Sequence, residues 1–146
     1  MKRKKLLSKA AAMMTAAVLV FGVSGQMVSA AEESAEQIGY ITVQTRGAYL
    51  QSGYSRIGKA GEGKITAGGN TTAHRAVSEI SINVNVERKV NGDWEHYTSW
   101  TSTKNNAIAL NSSKTLTVPK GYYYRVKCVH YANSDVSSSI TGGLYI

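Results

Sequence analysis

The sequence predicts an all-β protein, a single antiparallel β-sandwich of about seven short strands that follows an export signal. Three observations carry this reading. From residue 39 onward apolar side chains recur at every second position, and no stretch sustains the 3.6-residue period of an amphipathic helix. The same region is rich in Thr, Tyr, Val and Ile, which suit a pleated, half-buried surface. Short clusters of Gly, Asn, Ser and Pro divide it into segments of strand length.

The first element lies outside the fold. Lys2, Arg3, Lys4 and Lys5 make a positive start, Lys9 extends it, and Ala10 to Val23 is uncharged and mostly Ala, Met, Val and Leu. That run has the character of a signal-peptide apolar region and falls short of the roughly 20 residues a spanning helix needs. Val28 and Ala30 place small residues just before a cut ahead of Ala31. Residues 1–30 are therefore expected to be a signal peptide removed on export. Residues 31–38, polar and acidic, are expected to be a disordered leader to a domain over 39–146. No cysteine follows the apolar run and no hydrophobic tail precedes Ile146, so a secreted, extracellular protein without a stable membrane anchor is expected.

Export changes the charge. The whole chain carries 17 Lys and Arg against nine Asp and Glu, but the signal holds five of the cations and none of the acids. The remainder is close to balanced and lacks the clustered basic stripe that nucleic-acid binding requires.

Within the domain, Tyr40 to Gln44, Ala48 to Gln51 and Lys64 to Ala67 supply the early strands. Ile80, Ile82, Val84 and Val86 then alternate with Ser81, Asn83, Asn85 and Glu87, a half-buried antiparallel strand. Asn91-Gly92 follows and marks a hairpin to a strand over Trp94 to Thr101. A two-residue loop pairs Val86 with Tyr97 and leaves Trp94, His96 and Trp100 on the polar face. A three-residue loop with a glycine bulge pairs Val84 with Thr98 and Val86 with His96, and turns both tryptophans to the apolar face. The bulged form is the expected one, because it buries two indoles. Ser113 to Val118, Tyr122 to Tyr131 and Ser138 to Ile146 complete the set.

Little catalytic chemistry is visible. Gly58 to Lys64 approaches a phosphate-binding loop, but Ile65 stands where a hydroxyl must hold magnesium, so a flexible loop between strands is expected. His74, His96 and His130 are scattered and set up no metal spacing, and no cofactor is implied. In the bulged register His96 joins His130 and Cys128 on one face, the minimum for a Cys/His pair, without an orienting third group. The few carboxylates fit cross-strand ion pairs better than a glycosidase cleft. The protein is thus expected not to be an enzyme. Cys128, the lone cysteine, reads as a buried strand thiol, with a monomer expected unless Cys128 links two chains.

Aromatics are the compositional oddity: nine Tyr and two Trp, with the one Phe inside the signal. Alternation turns Tyr123 away from Tyr122 and Tyr124 and beside Arg125, Lys127 and Tyr131. That stripe of rings with polar tips and basic groups is the candidate contact surface.

Leu116 to Val126, running through Pro119-Lys120-Gly121 into three tyrosines, resembles the tyrosine corner of immunoglobulin-like and fibronectin-like sandwiches, in which a Tyr at a strand entrance bonds back to the preceding loop. With Gly92, Trp94, Trp100 and a Ser-rich last strand, the chain is similar to uncharacterised small secreted β-sandwich proteins of Gram-positive bacteria. This resemblance implies a fold and a compartment and brings no catalytic residue. The expected function is a secreted, non-catalytic binding module for an extracellular glycan or protein. A bacteriocin-like membrane-active toxin and a structural component of the cell envelope are the alternatives.

Overall fold

The computed structural model describes residues 35–41 and 47–146. The expected signal peptide, the start of the leader and Thr42 to Gln44 of the first expected strand lie outside the described residues. The chain forms β1 (Glu36–Tyr40), β2 (Leu50–Gly61), β3 (Lys64–Val90), β4 (Asp93–Thr117), β5 (Tyr123–Ala132), β6 (Asp135–Ile140) and β7 (Leu144–Tyr145). All seven belong to one antiparallel sheet, in the order β1-β2-β3-β5-β6, with β4 on the other side of β3 and β7 on β5. Among the described residues the protein is all-β, as the two-residue periodicity predicts.

Two strands are far longer than the sequence suggests. The expected short strands at Lys64 and Ile80 are the two halves of β3, and those at Trp94 and Ser113 are the two halves of β4. β3 pairs with β4 on one edge throughout, while its other edge takes β2 over the first half and β5 over the second. Between the halves the β3–β4 register slips at Thr72 to Val77. The buried set changes phase just beyond it, between Val77 and Ile80: Ile65, Ala67, Thr71, Ala73 and Val77 face inward before the change, Ile80, Ile82, Val84 and Val86 after it. Asn106, at φ 50°, marks the same place in β4. One sheet is thereby folded over on itself, and the apolar sides of its halves meet in a core of Ile57, Ile65, Ile82, Val84, Val86, Tyr124, Val126 and Cys128. A bend made by strands that continue from one layer to the next needs this kind of irregularity.

Gly39 lets the fold close on the far side. An added Cβ there would stand 1.7 Å from the Ile140 carbonyl oxygen, so only glycine lets β1 lie against the end of β6. β1 also takes in Glu36, Gln37 and Ile38, which the sequence assigns to a disordered leader. The backbone is captured by β2, with Glu36 opposite Gly58 and Ile38 opposite Arg56.

The hairpin register corrects both sequence alternatives. Asn91 and Gly92, at φ 51° and 86°, form a two-residue turn that pairs Val90 with Asp93 and Glu87 with His96. A bulge then falls at Tyr97, five residues beyond Gly92, and resets the pairing to Val86 with Thr98 and Val84 with Trp100. The tryptophans consequently part. Trp100 packs against the core and donates through Nε1 to the Ser112 hydroxyl at 2.9 Å, whereas Trp94 lies on the outer face. His96 shares that outer face, its Nδ1 2.7 Å from Asn85 Oδ1, and does not approach Cys128 or His130.

Three further expectations change in detail. Gly58 to Lys59 is strand, and the glycine segment turns only at Glu62-Gly63, so the phosphate-loop look-alike is the β2–β3 hairpin. The expected last strand is interrupted at Thr141 to Gly143, dividing it into β6 and β7. At the entrance to β5, Tyr124 is fully buried and its hydroxyl donates to the Pro119 carbonyl at 2.6 Å, the back-bond the loop-and-tyrosine pattern calls for.

Candidate functional site

β5 exposes alternate residues, and Tyr123, Arg125, Lys127 and Tyr131 all stand on its outer side. They form a line rather than a pocket. Tyr123 and Tyr131 are eight residues apart, about 27 Å along an extended strand, so no small ligand touches all four.

The cationic members differ in kind. The Arg125 guanidinium bonds to Glu87 Oε2 from Nε at 2.8 Å and forms an ion pair at 2.7 Å, and it lies over the Trp94 ring at 4.3 Å. Register places this pair: Glu87 is directly opposite Arg125 on β5 and His96 on β4. Arg125 is therefore neutralised and holds Trp94 in place, with the Tyr123 ring tilted against Tyr145, centroids 5.1 Å apart, alongside. Lys127 makes no ion pair among the described residues. It lines a cavity of about 340 Å³ together with Gly39, Tyr40, Ser138, Ser139 and Ile140. Tyr131 sits further along, opposite Val136 on β6, both exposed.

The Lys127 cavity lies on the seam where β1 meets β6. Its second feature, Tyr40, is 66% exposed and meets Tyr54 edge to face at 6.2 Å. Sequence reasoning missed Tyr40 as a site residue. Its strand neighbours gave no sign that β1 would lie beside a strand 100 positions later; the local hint was Gly39, a residue that permits close backbone approach.

Beneath the seam is a second polar array, and it is almost wholly buried. The His130 ring joins Thr71 at Nδ1, 2.8 Å away, and Ser139 at Nε2, 2.7 Å away; Ser139 in turn meets the Ser55 hydroxyl. His130, Thr71 and Ser55 are fully buried. Burial lowers the His130 pKa to about 4, so the ring is neutral, and its two hydroxyl partners satisfy a neutral imidazole in either tautomer. Cys128 is buried beside this array, and loss of solvation pushes its thiol up to about 11, with the Ser55 hydroxyl pulling the other way. His130, Thr71, Ser55 and Cys128 are fully buried, and Ser139 alone of the array also borders the seam cavity. Cys128 is a free, buried strand thiol, as its alternating neighbours predict.

The remaining polar groups are structural in geometry. Asp135 accepts from the Tyr49 and Leu50 amides at 2.7 and 2.9 Å and ties the start of β2 to the β5–β6 turn. Among the described residues no three His, Cys, Asp or Glu side chains are placed to share a metal ion.

No curated protein matches the chain. Residues 15–143 match a family of unknown function, DUF6147, a span that takes in nearly all of the folded sheet and the seam cavity. The chain belongs to this DUF6147 family of unknown function.

Proposed function

We propose that the protein is exported, loses residues 1–30 as a signal peptide, and acts outside a Gram-positive cell as a non-catalytic, immunoglobulin-like module that binds an extracellular glycan. The observation that carries this reading is the seam cavity. An ammonium that makes no ion pair among the described residues (Lys127), an exposed ring (Tyr40), a serine hydroxyl (Ser138) and an apolar wall (Ile140) converge on about 340 Å³ of open space. Sugars offer flat apolar faces to rings and hydroxyls to polar tips, which is the chemistry this lining answers. Tyr123, Arg125 and Tyr131 extend the contact surface along β5, with Arg125 fixing Trp94 rather than meeting the ligand itself. Burial of the His130 array under the core supports binding over catalysis.

A glycan array probed with the purified protein tests the reading. Binding is expected to at least one class of surface polysaccharide and to fall in Lys127→Ala, with a smaller loss in Tyr123→Ala. A blank array, or binding that neither variant weakens, would overturn it.

A further inference from the structure

We propose that two copies of the chain pair through the open edge of β4, antiparallel and related by a two-fold axis at Trp100. This pairing is independent of what the seam cavity binds.

β4 is 25 residues long and, among the described residues, pairs along one edge alone, with β3. The opposite margin of the folded sheet is not open in this way, because β1 and β6 meet there, with Gly39 against the Ile140 carbonyl. A long open edge presents a row of unanswered N–H and C=O groups, which proteins blunt with charges, proline or bulges. The run Thr98-Ser99-Trp100-Thr101-Ser102-Thr103 carries none of these. The core is also unfinished along this margin. Trp100, Leu110 and Leu116 stand on the core side of β4 and are only partly covered, because among the described residues no strand lies beyond them.

Charge and register point to a second copy as the occupant. An incoming β4 that takes Tyr97 as the extra residue, as β3 does, sets Trp100 opposite the partner's Trp100 and Thr98 opposite the partner's Ser102. Beyond the bulge, His96 meets the partner's Thr103 and Glu95 meets the partner's Lys104. The faces agree throughout. Thr98, Trp100 and Ser102 lie across β3 from the buried Val86, Val84 and Ile82, while Ser99 and Thr101 lie across from Asn85 and Asn83 on the outer side. Glu95 is opposite Arg88 and Lys104 opposite Ile80, which puts both on the core side. Both are exposed, and neither makes an ion pair among the described residues. The two-fold axis makes the Glu95–Lys104 contact twice. Because the same edge serves both copies, the assembly closes at two and does not grow into a fibre. The Lys127 cavity lies at the other margin of the sheet, so the dimer keeps two of them open.

Sedimentation velocity of the purified protein across the micromolar range tests this, and the mass should double as concentration rises. Lys104→Glu and Glu95→Lys each set like charges opposite one another, and each should weaken dimerisation at least about tenfold. The two substitutions together should restore it. Both side chains are exposed, and an unchanged melting temperature at high dilution confirms that each variant is folded. In Trp94→Phe, which leaves Trp100 as the one tryptophan, emission should shift to the blue as the dimer forms. A monomer at every concentration would overturn the pairing. So would a dimer that both single substitutions leave intact, since its interface would lie elsewhere. A double variant that stays monomeric would overturn the register, as would recovery of Lys104→Glu by Asp93→Lys in place of Glu95→Lys, which would move the axis to Ser99. Growth beyond two copies would overturn the closure.

Discussion

His130 Nε2 lies 2.7 Å from the Ser139 hydroxyl, in the buried interior where the two halves of the folded sheet meet. Ser139 and His130 come from the β5–β6 half, and the hydroxyls of Ser55 and Thr71 reach them from the β2–β3 half. These bonds are polar stitches across an otherwise apolar core. They hold a neutral imidazole well and a charged one badly, because hydroxyls can accept from both ring nitrogens but supply no counter-charge.

Acid is therefore expected to weaken the fold through His130. Its pKa is about 4 in the folded protein against 6.5 ordinarily, so the unfolded chain binds the extra proton first. Stability from this group is whole above pH 6.5, falls as the pH drops, and is lost by about pH 4, a total of about 3 kcal/mol. Thermal melts between pH 7 and 4 should show the decline. His130→Gln, which keeps two polar contacts and cannot titrate, should be less stable at pH 7 but lose less on acidification. Equal slopes for the two proteins would contradict this account.

Cys128 should be inert in the native protein. Its thiol is fully buried, and a pKa of about 11 leaves almost no thiolate at neutral pH. Iodoacetamide at pH 8 is expected to leave it unmodified over hours and to label it within minutes in denaturant, as intact mass would show. Stoichiometric labelling of the folded protein, or a covalent dimer on oxidation, would show that the thiol is accessible.

Gly39 is the tightest backbone contact at the seam, and Gly39→Ala should pry β1 from β6. The new methyl overlaps the Ile140 carbonyl, and shifting backbone is costly, about 1–3 kcal/mol by analogy with overpacked cores. A lower melting temperature and faster amide exchange in β1 are expected. Loss of glycan binding without any change in exchange would place the defect in the ligand site and not in the seam.

The short-range part of this fold was legible in the sequence and the long-range part was not. Ile80 to Val86 reads as a strand because alternation is local, and Asn91-Gly92 reads as a hairpin because positive φ favours those residues, although the turn has two residues where a three-residue loop is expected. The outward stripe of β5 follows from parity alone. The bulge at Tyr97 escaped because either simple register could be written without it, and only packing of Trp100 over Val84 and Tyr97 against Tyr124 selects the third. The doubling of strand length escaped for a related reason. The phase of buried residues shifts between Val77 and Ile80, which looks like a chain break in sequence and is a bend in space. The seam cavity depends on β1 meeting β6, a contact that no local pattern announces.

Tyr97 offers a test of that third register. As the extra residue in β4 it turns Thr98, Trp100 and Ser102 to the core side while Trp94 and His96 stay outside. Deleting it leaves the Asn91-Gly92 turn intact but puts every later residue of the first half of β4 one position out of phase. Trp100 would then face solvent, losing its Ser112 bond and its place on the core. The deletion is expected to unfold the protein or cost several kcal/mol, on the scale of about 3–5 kcal/mol for removing a large buried aromatic. Tyr97→Phe, which keeps the bulge and the ring, should cost under about 1 kcal/mol. Similar, small losses from both would mean that the bulge does not set the register.

The ion pair behind Trp94 separates holding from binding. Glu87 and Arg125 side chains are only 13% and 25% exposed, so this pair is better protected from solvent than the two surface pairs at Glu36 and Glu62. Glu87→Gln keeps the shape, removes the negative charge that pairs with Arg125 and leaves a cation over the indole. A loss of about 1–2 kcal/mol is expected, between the small worth of exposed pairs and the larger cost of breaking buried ones. Trp94 emission should shift to the red as the ring loosens, with Trp100→Phe as the background that isolates its signal. Arg125, no longer neutralised, should then stand as a free cation on the contact surface, so glycan binding is expected to become more salt-sensitive. If Glu87→Gln instead abolished binding with the fold intact, Arg125 would be acting on the ligand through its pairing geometry, and the assignment of a purely supporting role to it would fall.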